Sequence, residues 1–296
     1  MTDRELVQLI RAFAKPMAPI PTGVAPRLDQ FRSVRVVLCD VYGTLVISGS
    51  GDIGVATPVN PRTAMQAAWE ACDTPVSEAD AGRLQTSYRQ TIEEEHTALK
   101  ARGIKHPEVD IHDIWGRVIQ RHSERLDIEK TVMPDLRRLA VTYESLVNPT
   151  WAMPGAQRLL EALSSMGIRL GIVSNAQFYT PLTLEAHFGA PPANLGFDER
   201  LCAWSYRQGE AKPSTNLFRA VIQELDRMHV APHDCIYLGN DMLNDVYTAN
   251  RCGFLTALFA GDQRSLRTRD DDSRCRGLQP TAVITDLSQL TDLIAR

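Results

Sequence analysis

No C-x-x-C pair occurs in this sequence; six cysteines (Cys39, Cys72, Cys202, Cys235, Cys252, Cys275) are scattered along it, several beside or inside apolar runs. That excludes the common zinc and redox motifs and a disulfide framework, and leaves buried, reduced thiols of a cytoplasmic protein as the expectation. An excess of positive charge is also missing, with 32 Lys+Arg against 36 Asp+Glu and a net charge of −4. Without a basic field, and without Arg or Lys interleaved with aromatics, nucleic acid is not an expected partner. The first residues, "MTDRELVQLIRAFAKPM", carry acids where a signal peptide has bases, and their apolar positions recur at helical spacing. They predict an amphipathic helix over 3–15 that is neither an export signal nor a membrane span. Internal repeats and low-complexity tracts are absent as well.

What is present is an alternation of strand and helix. A chain of 296 residues holds one large core, or a core with a sizeable insertion, and two compact units are expected. Residues 1–33 form the N-terminal helix and a Pro/Ala-rich linker, "MAPIPTGVAPRLDQ". Beyond it, "VRVVLCD" (34–40), "IRLGIVSN" (168–175), "CIYLGND" (235–241), "LTALFA" (255–260) and "AVIT" (282–285) are continuous β-rich runs of the kind buried on both faces of a parallel sheet. "PGAQRLLEALSSMG" and "STNLFRAVIQELDRM" carry apolar stripes at helical spacing between them. The pattern predicts a Rossmann-like, doubly wound α/β core made of 34–46 and 149–296. Residues 47–148 contain no β-rich run but three long helical periods, which predicts an all-α cap inserted after the first strand. Its place at the carboxyl edge of the sheet would let it cover a site there. The mixed-charge segment 261–277, "GDQRSLRTRDDDSRCRG", reads as a solvated loop.

Four polar clusters fall at strand or helix ends. Asp40 and Thr44 follow the first strand, Ser174 and Asn175 end the second, Lys212 opens a helix in "AKPSTNLF", and Asp241 and Asp245 stand in "LGNDMLND". A carboxylate such as Asp40 can attack phosphorus or carbon and split one hard step into two. Thr44 or Ser174 can bind substrate oxygens and Lys212 can neutralise them. Asp40, Asp241 and a backbone carbonyl are the hard oxygen donors that Mg²⁺ takes, with Asp245 four residues on, able to hold a metal-bound water or Lys212.

These four elements, in this order and each in its strand context, resemble the haloacid dehalogenase superfamily of aspartate-nucleophile hydrolases, over about 34–290. The resemblance implies Asp40 as nucleophile, Ser174 as the second-motif hydroxyl, Lys212 as the third-motif base, Asp241 as the metal carboxylate and the carbonyl of Tyr42 as the third protein ligand. It implies a small anionic substrate, a phosphorylated metabolite or a 2-halo acid; a monomer or homodimer with no membrane partner is expected.

Tyr42 divides the readings, because phosphatases of the superfamily carry an acid two residues past the nucleophile. A phenol with an ordinary pKa near 10 is a poor base at neutral pH, and the loss of positioned acid–base catalysis typically costs about 10²- to 10⁴-fold. Dehalogenase members carry Tyr there, since a halide leaves without a proton, but they need no metal. Asp40 and Asp241 brought together without a cation would repel each other. The expectation is therefore a Mg²⁺-dependent hydrolase of phosphoesters or acyl phosphates acting through an aspartyl-phosphate. A metal-free 2-haloacid dehalogenase is the alternative, and a catalytically weak binding protein the alternative of another class. Cap residues Lys100, Lys105 and Lys130 are candidates for a recruited lysine, and Arg83 and Arg89 for reaching an anion. His106, His112, Trp69, Trp115 and Trp151 read as surface or packing residues.

Overall fold

A computed structural model describes residues 1–50, 60–123 and 134–294. Chain order begins with helix α1 (Asp3–Phe13), strands β1 (Val36–Cys39) and β2 (Val46–Ser48), and helices α2 (Pro61–Glu70), α3 (Glu78–Ala101), α4 (Ile111–His122) and α5 (Leu136–Val147). It continues through β3 (Thr150–Ala152), α6 (Ala156–Ser165), β4 (Arg169–Ser174), α7 (Thr180–Phe188), β5 (Phe197–Trp204), the single turn α8 (Ser205–Gln208) and α9 (Asn216–Arg227). The last elements are β6 (Cys235–Gly239), a π-helical turn (Met242–Tyr247), α10 (Thr248–Arg251), β7 (Leu255–Phe259), β8 (Ala282–Ile284) and α11 (Ser288–Leu293).

Six strands form one parallel sheet in the order β5-β4-β1-β6-β7-β8. Along β1 the side chains alternate between two cores, Val37 and Cys39 on the face packed by α6 and α11, Val36 and Leu38 on the face packed by α9. This is why the strand reads as an unbroken apolar run: both of its faces are covered. The strand order reverses between β1 and β6, so the crevice at their carboxyl ends is where this architecture places a ligand.

The helices α2–α5 leave the core after β2 and return at β3, which pair antiparallel as a two-stranded base (Val46 with Ala152, Ser48 with Thr150). Their apolar faces form a third core around Met65, Trp69, Leu84, Ile114 and Trp115. That core also takes in Leu6, Val7 and Ile10 of α1, Tyr179 at the N-cap of α7, and Leu182 and Ala186 within it. Helix α7 therefore joins both packing systems, since Leu184 and Phe188 face the sheet. The N-terminal helix is capped by Thr2 and Glu5 in a reciprocal box and docks on α5 and α7, with Arg11 donating to the carbonyls of Ala186 and Glu185 at 3.0 and 3.1 Å. After it, the extended segment follows the sheet edge, where Arg27 and Val283 exchange backbone hydrogen bonds at 2.9 Å. No helix among the described residues is long and apolar enough to cross a membrane.

Candidate active site

The chain leaves the sheet at Asp40, whose backbone N–H still donates to Leu238 at 2.8 Å. Its carboxylate is thereby fixed in the crevice, 8 % exposed. Oδ1 accepts from Lys212 Nζ at 2.9 Å, while Oδ2 has no hydrogen-bond partner among the described residues. Gly43 closes the turn that follows, with φ of +79°; a Cβ there would stand 2.5 Å from Ser265 Cβ, so neither backbone nor space admits another residue.

Lys212 is buried and its ammonium also donates to Asp245 Oδ1 at 2.6 Å, to the Tyr237 hydroxyl at 2.8 Å and to Val173 O at 3.2 Å. Burial pulls its pKa down, but Asp245 and Asp40 outweigh burial and hold it above the ordinary lysine range. For Asp245 burial dominates and pushes the carboxyl up, against the pull of Lys212. The second oxygen of Asp245 accepts from the backbone N–H groups of Asn240 and Asp241, each at 2.9 Å. The close approach needs Gly239, because a Cβ there would sit 2.4 Å from the Asp245 carboxylate. Asn175 fixes the lysine from the other side: its Oδ1 accepts from Lys212 N at 2.7 Å and its Nδ2 donates to Lys212 O at 3.3 Å.

The pocket around these groups, about 40 Å³, is lined by Asp40, Tyr42, Lys212, Asn240, Asp245 and Arg267 among others. Ser174 and Thr44 are fully buried and do not line it. The Ser174 hydroxyl donates to Asn175 O at 3.2 Å, and Thr44 Oγ1 donates to Asn240 Oδ1 at 3.0 Å. Both hydroxyls thus brace neighbouring site residues. Tyr42 is buried, with its hydroxyl 3.1 Å from Thr180 Oγ1, and burial drives its pKa further up.

Asp241 also lines the pocket, but its carboxylate is saturated. Oδ1 accepts from the N–H groups of Leu243 and Asn244 at 2.8 and 3.1 Å, capping the π-helical turn. Arg269 takes both oxygens in a fork, Nε at 3.1–3.2 Å and Nη2 at 2.5 Å. This leaves Asp40 and the Tyr42 carbonyl as the remaining donors of the expected Mg²⁺ set, in a pocket that already carries Lys212 and Arg267. With Asp241 held by Arg269 and Asp245 by Lys212 and two backbone N–H groups, a single open carboxylate oxygen on Asp40 beside protein cations does not fit a divalent ion. Among the described residues, no three His, Cys, Asp or Glu side chains are grouped to hold a metal.

The loop after β7, read from sequence as solvated, reaches this pocket. Asn240 Nδ2 donates to Ser265 O at 2.6 Å, Arg267 N to Asn240 O at 3.0 Å and Met242 N to Arg267 O at 2.8 Å. Arg267 Nη1 donates to the carbonyls of Arg264 and Leu266 at 2.7 and 3.0 Å, and its guanidinium has no carboxylate partner among the described residues.

Beside the pocket, sharing Asn175, lies a cavity of about 590 Å³ under α3 and α5, walled by Tyr88, Ile92, Val109, Tyr143, Val147 and Tyr179. The segment before α4 is latched over its core side. Glu108 accepts from the Ser205 hydroxyl at 2.7 Å and from Gln177 Nε2 at 3.2 Å, and Ala211 N donates to His106 O at 2.8 Å. Burial raises the Glu108 pKa to about 6.

Arg89 stands at the exposed mouth of the cavity, whereas Arg83 is paired with Asp80. Lys100 and Lys105 are exposed and line neither space, and Lys130 lies outside the described residues. Trp69 and Trp115 are buried packing residues, Trp151 is half-buried against His187, and His112 is exposed. Tyr237, Thr180, Asn240, Ser265, Arg267 and Arg269 belong to the site and were not singled out by sequence. Tyr237 and Asn240 stand inside a quoted strand run, and Ser265, Arg267 and Arg269 inside the loop read as solvated; Thr180 lies outside every quoted stretch.

The chain thus combines a parallel α/β core, a buried Asp–Lys–Asp cluster at its carboxyl edge and helices inserted between β2 and β3. The haloacid dehalogenase-like hydrolase model matches residues 34–253, and the chain belongs to that family. It is 28 % identical over 145 residues to a ribulose-1,5-bisphosphate 5-phosphatase of Halopiger xanaduensis, covering 48 % of this chain and 56 % of that protein, so it spans just over half of that relative's length. It is 25 % identical over 225 residues to haloacid dehalogenase-like hydrolase domain-containing protein 3 of Xenopus laevis, covering 75 % of this chain and 82 % of that one. The crystal structure of a 2-haloacid dehalogenase from Pseudomonas syringae pv. Tomato DC3000 has the same fold, at 18 % identity and a TM-score of 0.55 over 88 % of this chain and 97 % of that one.

Proposed function

We propose that this hydrolase displaces a leaving group from a small anionic substrate by direct attack of Asp40, without a resident metal, and that a 2-halo carboxylic acid is the substrate class it serves. The observation that carries the reading is the closure of Asp241 by Arg269, which takes away the second metal carboxylate. Tyr42, tied to Thr180 and with its pKa raised, agrees with it, because a halide departs without needing a proton.

Asp40 Oδ2, free of hydrogen bonds among the described residues, forms a C–O bond at the substrate's C2 as the carbon–halogen bond breaks and the halide takes the electron pair. Lys212 holds the other oxygen at 2.9 Å and orients the attack. Water then attacks the carboxyl carbon of the ester, releasing a 2-hydroxy acid, restoring the Asp40 carboxylate and giving up one proton, for which the buried Asp245 is the neighbouring acceptor through Lys212. The helices α2–α5 serve as a cap, with the cavity beneath them taking the body of the substrate.

Hydrolysis of an activated phosphoester or acyl phosphate is the second reading, supported by the name of the Halopiger relative. Chloride release from 2-chloropropionate in EDTA, run beside phosphate release from p-nitrophenyl phosphate in Mg²⁺, separates the two. EDTA-insensitive chloride release that vanishes in Asp40→Asn is the expected result. Mg²⁺-dependent phosphate release in its place gives the site to the phosphatase reading, and no turnover in either assay leaves a binding protein.

A further inference from the structure

We infer that Arg267 is the residue that grips the oxyanion of the substrate, supplying from the protein the positive charge that a metal ion would bring to this crevice. The inference rests on Asp40-based hydrolysis for its catalytic meaning, but its geometry stands alone. Arg267 lines the same small pocket as Asp40, Lys212 and Asn240. Of its guanidinium atoms, Nη1 is committed to two backbone carbonyls, while Nε and Nη2 have no acceptor among the described residues. That leaves a planar edge of two N–H groups, the shape that binds a carboxylate or a phosphoryl group with two parallel hydrogen bonds.

The loop that carries it is built to hold that edge in place. Arg267 exchanges backbone hydrogen bonds with the segment 240–242, at 3.0 and 2.8 Å, as an extra strand-like bridge. Two residues further on, Arg269 clamps the loop onto buried Asp241, and two residues before it the carbonyl of Ser265 takes the Asn240 amide at 2.6 Å. Asp241 and Asn240 are thereby spent on fixing the loop, while Arg267 lines the nucleophile's pocket and its guanidinium has no carboxylate partner among the described residues. Lys212 cannot take this role, because its ammonium already meets Asp40, Asp245, Tyr237 and Val173.

Calorimetric titration of sodium propionate and of inorganic phosphate into the full chain, wild type, Arg267→Met and Arg267→Lys, tests the assignment. Wild type is expected to bind one of the two anions, and the one it prefers identifies carboxylate or phosphoryl as the natural group. Arg267→Met should weaken that binding about 10- to 100-fold, the range of a charge-assisted hydrogen-bonded contact, and Arg267→Lys should recover part of it. In turnover the same loss should fall on KM more than on kcat. Equal binding by wild type and a folded Arg267→Met, or no binding of either anion by wild type, overturns the inference. If Arg267→Met fails to fold, full anion affinity in Arg267→Lys with no change in KM also overturns it, since lysine cannot present the fork. Anion binding that depends on Arg267 in a chain with no Asp40-dependent turnover would sink the hydrolase reading and leave the anion site standing.

Discussion

The pocket at the sheet edge and the cavity under the helices adjoin at Asn175, yet they are built on opposite terms. In the pocket, about 40 Å³, Lys212, Asp241 and Asp245 are each held by several hydrogen bonds, and two glycines are required because side chains crowd them. The cavity, about 590 Å³, is walled largely by tyrosine and aliphatic side chains, with Glu108, Glu144 and Gln177 among its polar lining, and has room left over. A crowded electrostatic pocket fixes one chemical step, since its groups cannot rearrange cheaply in low dielectric. A roomy apolar chamber fixes only what size and shape may enter. Chemistry is therefore predicted to be intolerant of substitution on one side of Asn175, and specificity to be adjustable on the other.

The strongest way to break the pocket is Lys212→Met. It leaves Asp40 and Asp245 buried side by side without the ammonium bonded to both, and removing one partner of a buried ionic cluster typically costs about 3–5 kcal/mol. Urea unfolding should show a loss of that order together with loss of turnover, and adding Asp245→Asn should restore part of the stability without restoring activity. A Lys212→Met chain as stable as wild type would show that the cluster does not carry the charge assigned to it.

The cavity should respond differently. Val147, buried on α5, lines its wall, and Val147→Phe fills space instead of removing a charge. Within the proposed reaction the KM for 2-chlorohexanoate should rise about tenfold relative to that for 2-chloropropionate, the discrimination that a methylene or two in an apolar pocket supplies. A uniform fall in kcat for both acids would place the cavity wall in the chemistry and erase the contrast.

How much of this was legible in the sequence follows the same divide between pattern and pairing. The strands β1, β4, β6, β7 and β8 could be read because both faces are buried and their apolar runs are continuous. Strand β5 escaped because it is the sheet edge: Asp198, Glu199 and Arg200 face solvent or pair with each other in its first half. Helix α7 escaped because it is apolar on both sides, packing the sheet with Leu184 and the inserted helices with Leu182, so it has no polar stripe. In the site, Asp40, Asn175, Lys212 and Asp245 stand at element ends, where spacing points. Which of the two acids in "GNDMLND" turns inward is decided by Arg269, 28 residues beyond Asp241 in a loop that looks merely charged. Side-chain pairing over such a separation leaves no periodicity to read.

The smallest expected effect lies at the latch between the two regions. Glu108 belongs to the segment before α4 but hydrogen-bonds the core through Ser205 and Gln177, and burial raises its pKa from 4.5 to about 6. A carboxyl whose pKa is higher in the folded than in the unfolded chain stabilises the fold fully below pH 4.5 and loses that contribution as pH rises through 6. His187 runs the other way: burial lowers its pKa from 6.5 to about 4, so its contribution is present above pH 6.5 and fades as pH falls toward 4. The two partly cancel in the wild-type profile, and only a difference isolates the latch. Melting temperatures of wild type and Glu108→Gln, measured from pH 4.5 to 7, should diverge in the variant's favour as pH rises, because the substituted amide stays uncharged where the Glu108 carboxyl ionises. A constant offset would mean that Glu108 keeps an ordinary pKa, and that the latch between pocket and cavity is held by the backbone bonds of His106 and Glu108 alone.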